Sequence, residues 1–324
     1  MLSVYVPGPR GLELIDQTNG PNVPQEALWI DLLEPTPEEE KFVEKLLDID
    51  VPTRDEMREI EASNRLYEDK GAFYMTATIG TKLDTELPES TQVTFILSGP
   101  RLITNRYSDP LPFRRFITYA QGHPNVCTSP SMLLAGLLES IINRIADVLE
   151  RVVAELDKNS GLVFSTDRTR RSERRDFRSI LERIGQTGEV ISKTRESLVS
   201  LGRLLAFIQQ TPNGQISPDA RVRFRTLSRD ALAMGDYASF LGDKVAFVLE
   251  ATLGMVTIDQ NNILKIFSVV TVFLLPPSVI SGFYGMNFEI LPLAHEPWGQ
   301  WVALGGMVAS AILPYAYFKR KGWL

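Results

Sequence analysis

Two stretches without a charged side chain, Ile266–Phe288 and Pro297–Phe318, close the chain with only eight residues between them. A helix of roughly 20 residues crosses a hydrocarbon core about 30 Å thick, so each stretch is long enough to span a bilayer. The first ends in Tyr284-Gly285-Met286-Asn287-Phe288, which sets a small, polar tripeptide at the mouth of a membrane helix. A carboxamide held there can hydrogen-bond to a passing solute or to the water shell of an ion. The chain therefore reads as a membrane protein whose chemistry sits at that mouth.

Bulk composition hides this. At 44% hydrophobic and 23% charged residues the chain looks like an ordinary globular protein. Of its 34 Lys and Arg residues 30 precede Asn262, as do 38 of its 40 Asp and Glu residues. The water-loving part thus carries a charge of about -8, which argues against a general nucleic-acid surface and suits carboxylates that attract divalent cations. Met1-Leu2-Ser3-Val4 has no basic segment followed by an apolar run, so no signal peptide is expected. A single cysteine, Cys127, fits a reducing compartment.

Flanking charges give a topology. Lys265 precedes the first span and Lys319-Arg320-Lys321 follows the second, whereas the turn between them has Glu289 and Glu296 and no Lys or Arg. The positive-inside rule places both termini in the cytoplasm and the Asn287–Glu296 turn outside. Trp298, Trp301 and Trp323 fall where indole rings favour the interface.

The chain divides into three parts: an α/β-patterned region 1–128, a helical stalk 129–262, and a transmembrane hairpin 263–324 with its outer loop at 285–296. In the first part Ala27–Leu32 predicts a strand, followed by a helix with Thr36 as N-cap, Pro37 at its first position and Glu39 closing a capping box. Thr53-Arg54-Asp55-Glu56 repeats the signature before a second short helix. Ala72–Ile79, Gln92–Leu97 and Leu102–Arg106 read as strands, with Gly99-Pro100 turning between the last two. Strand signals stop at Ser129-Pro130. Met132–Leu156 then carries apolar residues at helical spacing, and 172–210 carries the stripe Ile180, Ile184, Ile191, Leu198, Leu201, Leu205. From Ser217-Pro218-Asp219 no proline occurs before Pro276, which predicts one helix of about 100 Å at 1.5 Å per residue running on into the first span. Arg168–Arg178 holds six arginines; it is read as a solvated helix connection, or alternatively as a contact for anionic headgroups. His295 with Glu289 and Glu296 fits no standard metal spacing, and His123 reads as a loop residue.

Within the first span Ser268, Thr271, Leu275, Ser278 and Gly282 recur at helical steps and share one face, which Leu264 extends. Polar and small groups at membrane depth face protein or water rather than lipid. The stripe therefore serves either helix packing or a water-filled path, and spacing alone leaves the two even. Gly305-Gly306 and Ala309-Ser310-Ala311 in the second span offer the packing alternative. A path would need several chains, because two helices enclose nothing. Neither span contains an ionisable acid, base or histidine of the kind a proton relay uses, a pattern that suits a cation keeping its water shell.

Tyr284-Gly285-Met286-Asn287 after a proline-broken apolar helix, and a second span closing in Tyr317-Phe318-Lys319-Arg320-Lys321-Gly322-Trp323-Leu324, resemble the CorA magnesium transporters. Trp29-Ile30-Asp31-Leu32, Ile60-Glu61-Ala62-Ser63 and Gln260-Asn261 through Val270 match the same pattern. The resemblance implies an α+β cytosolic domain, long stalk helices and a two-helix transmembrane hairpin, assembled as a funnel-shaped homopentamer in the plasma (bacterial inner) membrane. It implies a channel-like transporter of hydrated Mg2+, with Co2+ and Ni2+ as further permeants, driven by the membrane potential. Gly285, Met286 and Asn287 would form the outer selectivity ring. Leu264, Leu275, Ser278 and Gly282 fall where the family narrows or polarises its pore, and Asn261 falls near the inner mouth. Glu289 and Glu296 would attract cations, and Mg2+ would also regulate. Two departures stand out. Leu291-Pro292-Leu293-Ala294 replaces the family's Met-Pro-Glu-Leu, removing an outer carboxylate. Thr226 stands where a regulatory aspartate is expected, with Asp230 one turn on. The alternatives are a zinc transporter of the same superfamily and a membrane-anchored scaffold or receptor. No nucleophile-base pair, phosphate loop or metal triad suggests an enzyme.

Overall fold

The computed structural model describes residues 1–17, 20–59, 61–164, 176–211, 215–286, 292–293 and 296–321. It separates into two compact units, Met1–Glu250 and Ala251–Leu324.

The first unit is built on a seven-stranded sheet. Its strands are β1 (Leu2–Gly8), β2 (Gly11–Ile15), β3 (Trp29–Leu33), β4 (Leu66–Asp69), β5 (Ala72–Thr81), β6 (Glu89–Ser98) and β7 (Arg101–Arg106), in the order β2-β1-β3-β7-β6-β5-β4. All neighbours are antiparallel except β3 and β7, whose register sets Ile30 opposite Ile103. Helices α1 (Pro37–Leu47) and α2 (Ala62–Arg65) connect β3 to β4, and α3 (Leu111–Ala120) follows β7. The long helices α4 (Pro130–Phe164) and α5 (Phe177–Gln210) come next, then α6 (Pro218–Tyr284), which contributes its first part to this unit.

Alternation along the strands builds two cores, because successive side chains point to opposite faces. Phe73, Met75, Ala77 and Ile79 of β5 join Val93, Phe95 and Leu97 of β6 against Phe113 and Phe116 of α3 and the apolar faces of α4 and α5. Tyr74, Ile96, Ile30 and Ile103 point the other way and pack with Val43 of α1. Each stripe residue expected on α5 is buried, as are Leu134, Leu138, Ile141, Ile145, Leu149 and Val152 on α4. The period-3.6 signal was therefore a true core signal.

Among the described residues, charged side chains are buried at one place. Arg106 on β7 donates from Nε and Nη2 to the two carboxylate oxygens of Asp31 on β3, at 3.0 and 2.7 Å, and from Nη1 to Asp109 at 2.7 Å. Thr104 donates to Asp31 at 2.6 Å and accepts from Trp29 Nε1 at 2.9 Å. Burial pushes the Arg106 guanidinium down, but the bonds and charges of Asp31 and Asp109 outweigh it and leave its pKa raised.

The sequence-based boundaries shift in physically readable ways. Thr36 caps α1 as expected, with Glu39 bonding back to the Thr36 amide. Thr53 and Glu56 exchange the same bonds, but only a 3-10 turn, Glu56–Arg58, follows, because Glu59 already has extended backbone. Helix α4 continues past Leu156 to Phe164: Asp157 pairs with Lys244 at 2.6 Å, and Val163 is buried. Residues 172–175 of the expected α5 lie outside the described residues. Strands β1, β2 and β4 and helix α3 had no separate expectation.

The second unit contains the end of α6 and helix α7 (Gly299–Arg320), both long and apolar enough to cross a membrane. Gly299 must be glycine, since a Cβ there would lie 1.9 Å from the Leu293 carbonyl oxygen.

Candidate functional site

Helix α6 runs unbroken through Pro276 and Pro277 to Tyr284. Neither proline has an N–H, so the carbonyls of Val272 and Phe273 lose their partners four residues on. After Tyr284 the Gly285 amide donates to the carbonyls of Ser281 at 2.9 Å and Gly282 at 3.2 Å, and Met286 donates to Phe283 at 3.4 Å. These bonds close the helix end and turn the chain at the tripeptide.

Two faces of this part of α6 differ. Val269, Val272, Phe273, Pro276, Pro277, Ile280 and Tyr284 are partly covered. This is the side that meets α7: the Phe273 and Tyr315 rings lie 5.9 Å apart, and a Cβ on Gly306 would sit 4.0 Å from Ile280. The covered residues of α7 are Ala303, Gly306, Met307, Ser310, Ala311, Pro314 and Phe318, so small residues let the two backbones approach. Asn261, Leu264, Ser268, Thr271, Leu275, Ser278 and Gly282 are all exposed. At 100° per residue the centre of that stripe lies roughly 150° from the centre of the α7-facing side. The stripe is not the packing face of the hairpin; Gly306, Ser310 and Ala311 on α7 fill that role.

Two of the three hydroxyls on the stripe bond back along the helix. Thr271 Oγ1 donates to the Phe267 carbonyl at 2.8 Å, and Ser278 Oγ donates to the Leu274 carbonyl at 2.6 Å. With their protons engaged backwards along the helix, both oxygens present only lone pairs outward. Water bound to a cation points its hydrogens away from the metal. The two therefore match.

Other expected site residues fall as follows. Gly285 and Met286 are exposed at the end of α6, and Glu296 is exposed ahead of α7. Asn287 and Glu289, with Leu291, Ala294 and His295, lie outside the described residues. Thr226 is exposed on α6 and donates to the Val222 carbonyl at 3.4 Å; Asp230 is exposed one turn further. Among the described residues no group of three or more His, Cys, Asp or Glu side chains is placed to hold a metal. Arg168 to Arg175 are outside the described residues, and Arg178 pairs with Glu182 at 3.0 Å. His123 is exposed and stacks on Tyr119 at 3.9 Å. The outward acceptor polarity of Thr271 and Ser278 was not read from the sequence, although a hydroxyl within an apolar helix commonly bonds back to the i−4 carbonyl.

The family model described as CorA-like Mg2+ transporter protein matches residues 24–320. The magnesium transport protein CorA of Haemophilus ducreyi is 32% identical over 309 residues, covering 94% of this chain and 95% of that protein. The protein of the same name from Haemophilus influenzae is 32% identical over 302 residues, 92% of each. The solved structure of the CorA magnesium transporter from Methanocaldococcus jannaschii aligns over 100% of this chain and 99% of that one, with a TM-score of 0.76 at 20% identity, which speaks to the fold. A model match over nearly the whole chain and relatives above 30% identity carry one conclusion: this chain belongs to the CorA-like Mg2+ transporter family, a family of membrane ion transporters rather than enzymes.

Proposed function

We propose that this chain is a channel-like transporter of hydrated divalent cations, chiefly Mg2+, with Co2+ and Ni2+ as further permeants. The observation that carries the reading is the exposed stripe on α6, turned away from α7 and offering hydroxyl lone pairs. Magnesium holds its inner waters tightly, so neutral acceptors that bond to those waters suit it better than ligands that must replace them. The relatives named for magnesium transport support the same cation.

The stripe becomes a path only when several copies turn it inward. Val222, Leu232 and Phe240 on α6 are 64%, 63% and 57% exposed, surface that further copies would cover. We take the assembly as a homopentamer in the plasma (inner) membrane, both termini cytoplasmic, with region 1–128 as cytosolic domain, 129–262 as stalk and 263–324 as hairpin. Asn261, Leu264, Ser268, Thr271, Leu275, Ser278 and Gly282 then line the pore. Gly285, Met286 and Asn287 form the outer filter, with Asn287 bonding to the ion through its water, and Glu289 and Glu296 attract cations. A divalent ion moving inward gains about 4.6 kcal/mol per 100 mV, enough to drive uptake. Mg2+ is also taken as a regulatory ligand of the cytosolic domain.

The test is metal uptake into liposomes holding the purified full-length protein, with an inside-negative potential. Uptake of Mg2+ that rises with the potential supports the reading. Uptake of Zn2+ without Mg2+ would give the zinc alternative, and no flux of any divalent ion would leave a membrane-anchored scaffold.

A further inference from the structure

The sheet has an edge that its own strands leave open. Strand β4 pairs only with Ala72–Met75 of β5, so from Thr76 onward β5 has no partner on that side. Helix α5 covers part of the gap: Ser200 Oγ accepts from the Thr78 amide at 2.9 Å and Ser197 Oγ from the Gly80 amide at 2.7 Å. Such capping removes a sheet edge that would otherwise pair with another chain. Between the start of β4 and this covered edge lies a cavity of about 310 Å³.

Three arginines line it. Arg65, just ahead of β4, is half-buried and donates from Nη1 to Thr78 Oγ1 at 3.1 Å and from Nε to the Glu59 carbonyl. Arg195 and Arg203 project from one face of α5, two turns apart, with no hydrogen bond or ion pair among the described residues. The one carboxylate in the lining, Glu196, already accepts from Ser90 Oγ at 2.8 Å. The cavity wall thus carries three positive charges against one negative charge. Burial lowers the pKa of Arg65, Glu196 raises it, and Arg203 lowers it further. Hydroxyls of Ser192 and Ser200 on α5 and of Thr76 and Thr78 on β5 complete the wall.

We propose that this cavity binds a soluble phosphate-bearing anion, held by Arg65, Arg195 and Arg203. The guanidinium groups of Arg195 and Arg203, the remaining Nη2 of Arg65 and the hydroxyls around them offer more donors than the two oxygens of a carboxylate can accept. A phosphate group, with three or more oxygens and a charge near -2, fits both the donor number and the excess charge. The site lies wholly in the first unit, Met1–Glu250, and shares no residue with the proposed cation path. Because it joins β4, β5 and α5, occupancy would tie α5 to the sheet edge.

The test is equilibrium dialysis of the full-length protein in detergent, free of Mg2+, against radiolabelled inorganic phosphate and glycerol 3-phosphate. One saturable site per chain for either probe is expected, with affinity weakened about tenfold or more in Arg195→Ala and in Arg203→Ala. Both side chains are exposed, so these variants should fold as the parent does, which circular dichroism checks. Arg65→Lys, which keeps the charge but loses the fork, should weaken binding as well. The shared phosphate chemistry has two free sources, and stronger binding of the ester would assign the site to phosphomonoesters. Absence of saturable binding of both probes, or equal binding by the parent and the Arg195→Ala/Arg203→Ala double variant, would overturn the proposal. Neither result bears on cation transport, which liposome flux measures separately.

Discussion

Ser278 Oγ donates to the Leu274 carbonyl oxygen at 2.6 Å, which leaves its lone pairs as the acceptor offered on the exposed face of α6. Ser278→Ala removes that acceptor and keeps the helix, since alanine is the better helix former. Mg2+ uptake in liposomes should fall several-fold while oligomeric mass stays unchanged. Uptake equal to the parent would remove Ser278 from the path.

Gly306 faces α6, and a Cβ there would stand 4.0 Å from Ile280, which is ordinary contact. Gly306→Ala should therefore be tolerated. Gly306→Leu drives a branched side chain between the two helices, and overpacking of this kind costs about 1–3 kcal/mol. Thermal unfolding in detergent should show the leucine variant less stable and the alanine variant close to the parent. Equal stability of both would mean that α7 does not approach α6 through this residue.

The Asp31–Arg106 pair, each side chain 3% exposed, sets the junction of β3 and β7. Asp31→Ala strands a buried guanidinium with only Asp109 to balance it. Loss of one partner of a buried pair costs about 3–5 kcal/mol. Denaturant unfolding of the full-length protein should show this loss, and Asp31→Ala with Arg106→Met should recover much of it, because the uncompensated charge is gone. A single variant as stable as the parent would contradict the assigned role.

Much of this was readable in advance because the deciding physics is local. The two apolar stretches, the stripe Ile180 to Leu205 and the Thr36 capping box each depend on residues a few positions apart, and each appears in the structure. Strand β4 was not readable: Leu66–Asp69 is short and charged at its end, and only its pairing with Ala72–Met75 makes it a strand. Burial of Arg106 was hidden for the same reason, since its partner Asp31 lies 75 residues away. The stripe on α6 was visible as spacing, but spacing could not say which side faced α7. That answer needed Phe273 against Tyr315 and Gly306 beside Ile280.

Asn287 is the residue on which the transport reading turns. In the proposed reading its amide oxygen would accept from an ion's water. Asn287→Ala would delete the proposed acceptor and leave both apolar spans intact. The decisive measurement is Mg2+ uptake by Asn287→Ala in liposomes, in protein first shown by mass to keep its oligomeric state. The account predicts that uptake is abolished or strongly reduced; an assembled variant carrying Mg2+ at the parent rate would contradict it.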